Sequence, residues 1–166
     1  MICPVCGHNN LQGADECENC GSDLRTADTP HPGSTFEERM VTERLATIAP
    51  AAPLTVDRST TVDSAVKLMQ ENATGCVIVE DGGRVVGIFT ERDALLKLAG
   101  ENLDGMTLEQ VMTRDPVVLR HDDSIAVAIH KMAVGGFRHI PLVENGHATG
   151  IVTARDVFHY ILEAID

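Results

Sequence analysis

Four of the five cysteines fall in two short clusters, Cys3-Pro4-Val5-Cys6-Gly7 and Cys17-Glu18-Asn19-Cys20-Gly21. Each C-x2-C is a tight turn that aims two thiolates at one ion, and the following Gly permits close backbone approach. Four soft sulfur ligands in two such turns suit tetrahedral Zn²⁺ with no position left for substrate water, so the expected role is structural. Iron fits the same ligands, and two disulfides would use the same residues. C-x2-C without an export signal argues for metal. His8 is read as a loop residue, because four thiolates already fill the shell. Cys76, which opens an apolar run, reads as a small core residue rather than a nucleophile.

A second set of polar residues occurs twice. Gly87-Ile88-Phe89-Thr90-Glu91-Arg92-Asp93 returns 63 residues later as Gly150-Ile151-Val152-Thr153-Ala154-Arg155-Asp156. The same offset lays Pro53 on Pro116, Ala65 on Ala128, Met69 on Met132 and Gly83 on Gly146, without a gap. A fixed period through a whole unit implies one supersecondary element used twice, each copy burying its apolar face on the other. In both copies Thr-x-x-Asp stands where a strand gives way to a helix. There it forms a capping box, worth about 1 kcal/mol to the helix start.

The elements that must position these residues follow from periodicity and breakers. Residues 23–35 lack periodicity and carry Thr29-Pro30-His31-Pro32-Gly33, a linker. A helix then opens at Ser34 or Thr35, keeps Phe36, Met40, Val41, Arg44, Leu45 and Ile48 on one face, and ends at Pro50. The first repeat reads as strand Leu54–Val56, helix Thr61–Asn72, strands Cys76–Glu80 and Arg84–Phe89 around Asp81-Gly82-Gly83, and helix Glu91–Ala99. The second has a helical lead-in Leu108–Met112, strand Val117–Leu119 and helix Ser124–Val134. Strands His139–Val143 and His147–Val152 then flank Glu144-Asn145-Gly146, and helix Thr153–Ala164 ends the unit. Each unit is β-α-β-β-α.

Composition sets the outer bounds. Hydrophobic content of 43% supports a core, which must be aliphatic, since there is no Trp, one Tyr and four Phe. The net charge of −12 repels phosphate and anionic lipid, and residues 1–35 hold five acids against Arg25 alone, so nucleic acid and membrane are not expected partners. No run approaches the length of a membrane span, and the first residues lack a basic-then-apolar signal, so the expected location is cytoplasmic. No Ser-His-Asp, Cys-His, metal-water or P-loop arrangement is legible, and the chain is not expected to be an enzyme.

The cysteine segment resembles a rubredoxin-type zinc ribbon. The tandem unit resembles a CBS-domain pair, or Bateman module, on Gly87–Asp93, Gly150–Asp156, Pro53, Pro116, the Thr61/Ala65/Met69 helix and Arg138-His139-Ile140-Pro141-Leu142-Val143. The implied fold is α+β: tandem CBS repeats about a pseudo-twofold axis, preceded by a small four-cysteine ribbon. The divisions are 1–22 ribbon, 23–35 linker, 36–102 first CBS domain with its lead-in helix, and 103–166 second CBS domain. The resemblance implies regulatory binding of an adenosine ligand (AMP, ADP, ATP, S-adenosylmethionine or NAD) in clefts between the repeats. It also implies a homodimer formed through the helices. The ribbon would then contact a protein partner; the alternative is a scaffold that only dimerises and docks that partner.

On this resemblance Asp93 and Asp156 would accept ribose hydroxyls, since a carboxylate offers two acceptors and no donor, with Thr90 and Thr153 facing sugar or phosphate. Arg138 and His139 stand where the first copy has Gly75 and Cys76, and they would contact phosphate through the guanidinium fork and a ring N–H. Arg138 could instead pair with surface acids. The second copy is therefore expected to hold the better site. Arg92 and Arg155 are placed toward solvent or a partner subunit, and Arg120 and His121 at the rim of a cleft.

Overall fold

Two-residue turns close the two hairpins. Asp81 and Arg84 flank Gly82-Gly83, and Glu144 and His147 flank Asn145-Gly146. All four turn residues have positive φ, between 53° and 87°, the geometry whose twist matches that of antiparallel strands. The computed structural model describes residues 2–3, 5–10, 14–24, 35–100 and 102–165. The chain forms two compact units, 1–39 and 40–166.

In the larger unit the first repeat comprises β1 (Thr55–Asp57), α2 (Val62–Glu71), β2 (Cys76–Asp81), β3 (Arg84–Thr90) and α3 (Glu91–Lys97); α1 (Thr35–Thr42) precedes it. The second comprises α4 (Leu108–Val111), β4 (Thr113–Arg114), α5 (Ile125–Gly135), β5 (His139–Glu144), β6 (His147–Thr153) and α6 (Ala154–Ile165). Thr61 and Ser124 cap α2 and α5 by accepting from the N–H of Ser64 and Val127. Both hairpins carry a register shift at the same place in the repeat, Val79/Glu80 and Leu142/Val143.

Hydrogen bonds bear out the pseudo-twofold relation pair by pair. Leu108 N–H donates to Thr60 O and Leu45 N–H to Asp123 O; Val62 N–H donates to Met106 O and Ile125 N–H to Glu43 O. In each pair both residues of one bond lie 63 positions from those of the other. The lead-ins are therefore exchanged: the segment before each repeat docks on the helix start of the other. β4 adds to the first repeat's sheet, giving the order β1-β2-β3-β4, and Ala51 bridges Ile151 in the second. Cys76, Ile78, Ile88 and Ile151 pack together where β2, β3 and β6 meet. The first repeat's core gathers Val62, Ala65, Met69, Val77, Val79 and Phe89 with Leu108, Val111 and Met112 of the second lead-in. Burying Phe89 fully contributes about 2–3 kcal/mol before entropy is counted.

Two expectations are corrected. The single helix drawn through to Ile48 breaks after Thr42, because Arg44 is extended (φ −96°, ψ 154°) to bridge Ser124; a 3-10 turn, Leu45–Ile48, follows. The strand drawn at Val117–Leu119 is one parallel bridge, Leu119 to Leu142. The cause is Pro141. In the first repeat Ile78 N–H donates to Leu54 O. The equivalent residue, Pro141, has no N–H, so that ladder bond cannot form.

In the smaller unit the two cysteine turns repeat each other 14 residues apart. Cys3 N–H donates to His8 O and Gly7 N–H to Cys3 O; Cys17 N–H donates to Ser22 O and Gly21 N–H to Cys17 O. Ile2 bridges Asn9, and Glu16 bridges Asp23. Asp23 and Leu24, assigned above to the linker, complete this unit, since Leu24 is fully buried against Cys3 and Cys17. The rest of that linker, residues 25–34, lies outside the described residues.

Candidate functional site

The ligand atoms of Cys3, Cys6, Cys17 and Cys20 all lie within 4.8 Å of one another. The Sγ–Sγ separations across the two turns are 3.7 Å for Cys3 and Cys20 and 3.6 Å for Cys6 and Cys17. A disulfide would need about 2.05 Å. A tetrahedral ion with Zn–S bonds of about 2.3 Å puts its sulfurs about 3.8 Å apart, and the cluster fits that geometry. Burial pushes the Cys17 thiol up, but N–H groups of Cys20 and Asn19, the Cys6 thiol and the Asn10 amide outweigh it and bring it to about 6. The side chain and backbone N–H of Ser22 lower Cys20. Buried Asn10 braces both turns by donating to His8 O and accepting from Glu18 N–H. The four sulfurs can hold a metal ion.

The second candidate is a cleft of about 790 Å³ between the repeats. Three local features build it. α6 begins at the Thr153 cap, and Ala154 N–H donates to Arg138 O, which ties the residue before β5 to the helix start. The equivalent bond, Glu91 N–H to Gly75 O, brings the start of α3 to the opposite wall. Residues 51–54, drawn across by the Ala51–Ile151 bridge, close one side. Arg138, His139, Thr153 and Asp156 all line this space.

Within it Asp156 Oδ2 accepts from Thr153 N–H (2.8 Å) and Thr153 Oγ1 (2.7 Å). Its Oδ1 accepts no hydrogen bond among the described residues. Arg138 is exposed and forms no ion pair among the described residues. His139 is half-buried. Burial lowers its pKa, Arg138 adds to that, and Glu91 and Asp156 pull it back, leaving it below the ordinary value. Its ring lies over Gly75: a Cβ built there would sit 2.9 Å from His139 Nε2 and 3.4 Å from Glu91 Oε2.

Thr90 and Asp93 are placed differently from their counterparts and line neither this cleft nor a groove of about 540 Å³ between α2 and α3. Asp93 is buried with both oxygens engaged. Oδ2 accepts from Thr90 N–H and Oγ1, and Oδ1 from Lys97 Nζ (2.6 Å) and Thr113 Oγ1 (3.1 Å). Burial raises its pKa, but Lys97 and Thr90 more than offset this and hold it below the usual range. The residues equivalent to Lys97 and Thr113 are Tyr160 and Pro50, so the ammonium and hydroxyl that engage Asp93 Oδ1 have no counterpart at those positions beside Asp156.

The remaining expectations divide. Arg155, placed toward solvent or a partner subunit, is exposed and also lines the cleft, whereas Arg120 and His121 do not line it; His121 Nε2 instead bonds Thr149 Oγ1 at 3.1 Å. Cys76 is buried, and burial first of all pushes its thiol up to about 12, an inert core group. Sequence reasoning missed the first-repeat wall, Thr74, Gly75 and Glu91. Its signal was the contrast of Gly75 with Arg138 and of Glu91 with Ala154 at equivalent positions.

Residues 46–100 and 108–163 each match the family model of the CBS domain. An uncharacterised 17.7 kDa protein of Acidianus ambivalens is 34% identical over 122 residues, 72% of this chain and 74% of its own length. The chain spans only about 20% of the Arabidopsis thaliana CBS domain-containing proteins it matches. Among solved structures, a CBS-domain protein of Agrobacterium tumefaciens is 30% identical with a TM-score of 0.63, covering 70% of this chain and 94% of that one. CBSX2, solved in complex with AMP, is 25% identical with a TM-score of 0.62, covering 74% and 98%. With both repeats matched and their exchanged lead-ins in register, the chain belongs to the CBS-domain family, as a tandem pair.

Proposed function

We propose that the chain is a non-enzymatic regulatory module that binds one adenosine ligand per CBS pair, in the cleft lined by Arg138, His139, Thr153 and Asp156. The observation that carries this is the unequal state of the two aspartates. Asp156 keeps a carboxylate oxygen with no hydrogen bond among the described residues, in a cleft whose volume lies in the range of small-molecule sites, while both oxygens of Asp93 are engaged. Asp156 Oδ1 would accept the ribose diol, and Arg138 and His139 would donate to phosphate. Binding of AMP by CBSX2 supports the ligand class. Because both repeats form its walls, a ligand there would shift how the repeats sit, to the extent that it prefers one arrangement.

We further propose that the four cysteines hold one structural Zn²⁺, which would supply folding free energy and no reaction step. The ribbon would pass the signal to a protein partner. Helix faces carrying exposed Leu95, Leu96, Phe158 and Leu162 would form a homodimer. A non-sensing scaffold remains the competing reading.

Isothermal titration with AMP, ATP, S-adenosylmethionine and NAD separates the two readings, since silence toward all four with folded protein would remove the sensor. Metal analysis should find about one zinc per chain. Sedimentation at micromolar concentration should give a dimer.

A further inference from the structure

The cleft has charges of both signs, and their distribution is set by the differences between the repeats. Arg138 and His139 come from the second repeat, at positions held by Gly75 and Cys76 in the first. Glu91 comes from the first, at the position held by Ala154 in the second. The Gly75–Arg138 and Glu91–Ala154 contrasts therefore bring an acid and a basic pair to one cleft. At the equivalent positions of the other repeat this acid and basic pair give way to Ala154, Gly75 and Cys76, while Arg114 and Asp115 stand where Ala51 and Ala52 line this cleft.

Gly75 lets the two sides approach. Its missing Cβ leaves room for both His139 Nε2 and Glu91 Oε2, which lie 2.9 and 3.4 Å from where that carbon would sit. A phosphate bound by the Arg138 fork and the His139 ring would lie against Glu91. With Arg138 and Arg155 positive, Glu91 and Asp156 negative and His139 neutral, the charged groups lining the cleft balance. Taking up the first phosphate places a dianion beside Arg138, with His139 ready to donate. A second and third phosphate add negative charge that Glu91 repels, and among the lining residues only Arg155 is a further cation, set against the two acids Glu91 and Asp156.

Resting on the adenosine-site reading above, we propose that Glu91 determines ligand specificity in this cleft, as a fixed negative charge that admits an adenosine ligand with a single phosphate and discriminates against di- and triphosphates. Glu91 is exposed, so its field is screened and its effect is selective rather than absolute. The same exposure leaves the fold insensitive to its replacement.

The test is isothermal titration of the full chain with AMP and with ATP, without added Mg²⁺, for wild type and Glu91→Gln. Wild type should bind AMP more tightly than ATP. The variant should tighten both ligands, because the first phosphate already lies against Glu91, and should tighten ATP by about threefold or more beyond AMP, consistent with one screened charge contact per added phosphate. Raising the salt concentration should narrow the wild-type gap and leave that of the variant nearly unchanged. Equal affinity for AMP and ATP in wild type would overturn the proposal, as would an AMP-to-ATP ratio unchanged in Glu91→Gln. Failure of wild type to bind any adenosine ligand would overturn the parent reading, and this one with it. Binding of AMP with an unaltered ratio would overturn the role of Glu91 alone.

Discussion

Asp93 and Asp156 occupy the same place in the two repeats, so one substitution made at each should have opposite consequences. Asp93→Asn leaves one carbonyl oxygen to serve donors that now engage two carboxylate oxygens: Thr90 N–H and Oγ1 on one side, Lys97 Nζ and Thr113 Oγ1 on the other. Whichever way the amide turns, its NH₂ faces a donor, and the ion pair with Lys97 is lost. Lys97 is 39% exposed, so that pair counts for at most about 1 kcal/mol after screening. Losing a satisfied buried acceptor adds about 1–2 kcal/mol. The expected loss is about 2 kcal/mol, or roughly 6–10 °C in melting temperature for a unit of this size. Asp156→Asn keeps its carbonyl on Thr153 and turns NH₂ toward the open side, at a stability cost below about 1 kcal/mol. That variant should lose the hydrogen bond to the ribose, a change of about 10- to 100-fold in affinity. Differential scanning fluorimetry and calorimetric titration of both variants read the two outcomes. If Asp156→Asn destabilises as much as Asp93→Asn, or if Asp93→Asn abolishes binding, the inequality argued for these two residues is refuted.

Other outcomes follow from single contacts. Gly75→Ala should push the His139 ring aside and weaken a phosphate ligand several-fold, with little change in melting temperature; unchanged affinity would show that His139 makes no such contact. Gly87→Ala drives a methyl into Met112 Sδ and 3.2 Å from Thr113 O, an overpacking that should cost about 1–3 kcal/mol in urea unfolding; a neutral result would contradict the packing of the second lead-in on β3. Because the His139 pKa lies below its unfolded value of about 6.5, the unfolded chain binds the extra proton first. Stability from this group should be complete above pH 6.5 and decline as pH falls from there through the folded pKa. His139→Gln should flatten that slope in urea titrations; an unaltered slope would exclude His139 as its source. Asp93 acts in a lower window, its contribution present above about pH 3.9 and lost as pH falls through its depressed folded value.

The parts of the fold fixed by local chemistry were legible. Gly82-Gly83 and Asn145-Gly146 announced the hairpins, Thr61 and Ser124 the helix starts, and the 63-residue offset the pseudo-twofold relation. The exchange of lead-ins was not legible, because β4 is two residues long and Ala51 makes a single bridge. Pairings that short leave no periodic pattern in the chain, and only the partner strand defines them. Pro141 was visible, but its effect lay on Val117–Leu119, which would have drawn its ladder bond from that position. The four-cysteine geometry could be read because its ligands are near neighbours in sequence. The cleft was half legible. Arg138, His139, Thr153 and Asp156 belong to one repeat and carry familiar chemistry, whereas Glu91 reaches them only through the fold. The engagement of Asp93 depends on Lys97, one helical turn away, and on Thr113 from the other repeat's lead-in.

The central claim is that one of two equivalent positions is open to ligand. Calorimetric titration of the full chain with AMP tests it most directly, read as stoichiometry in wild type, Asp93→Asn and Asp156→Asn. The account predicts one site per chain in wild type and in Asp93→Asn, and loss of that site in Asp156→Asn. Two sites per chain, or a site that survives in Asp156→Asn and disappears in Asp93→Asn, would contradict it.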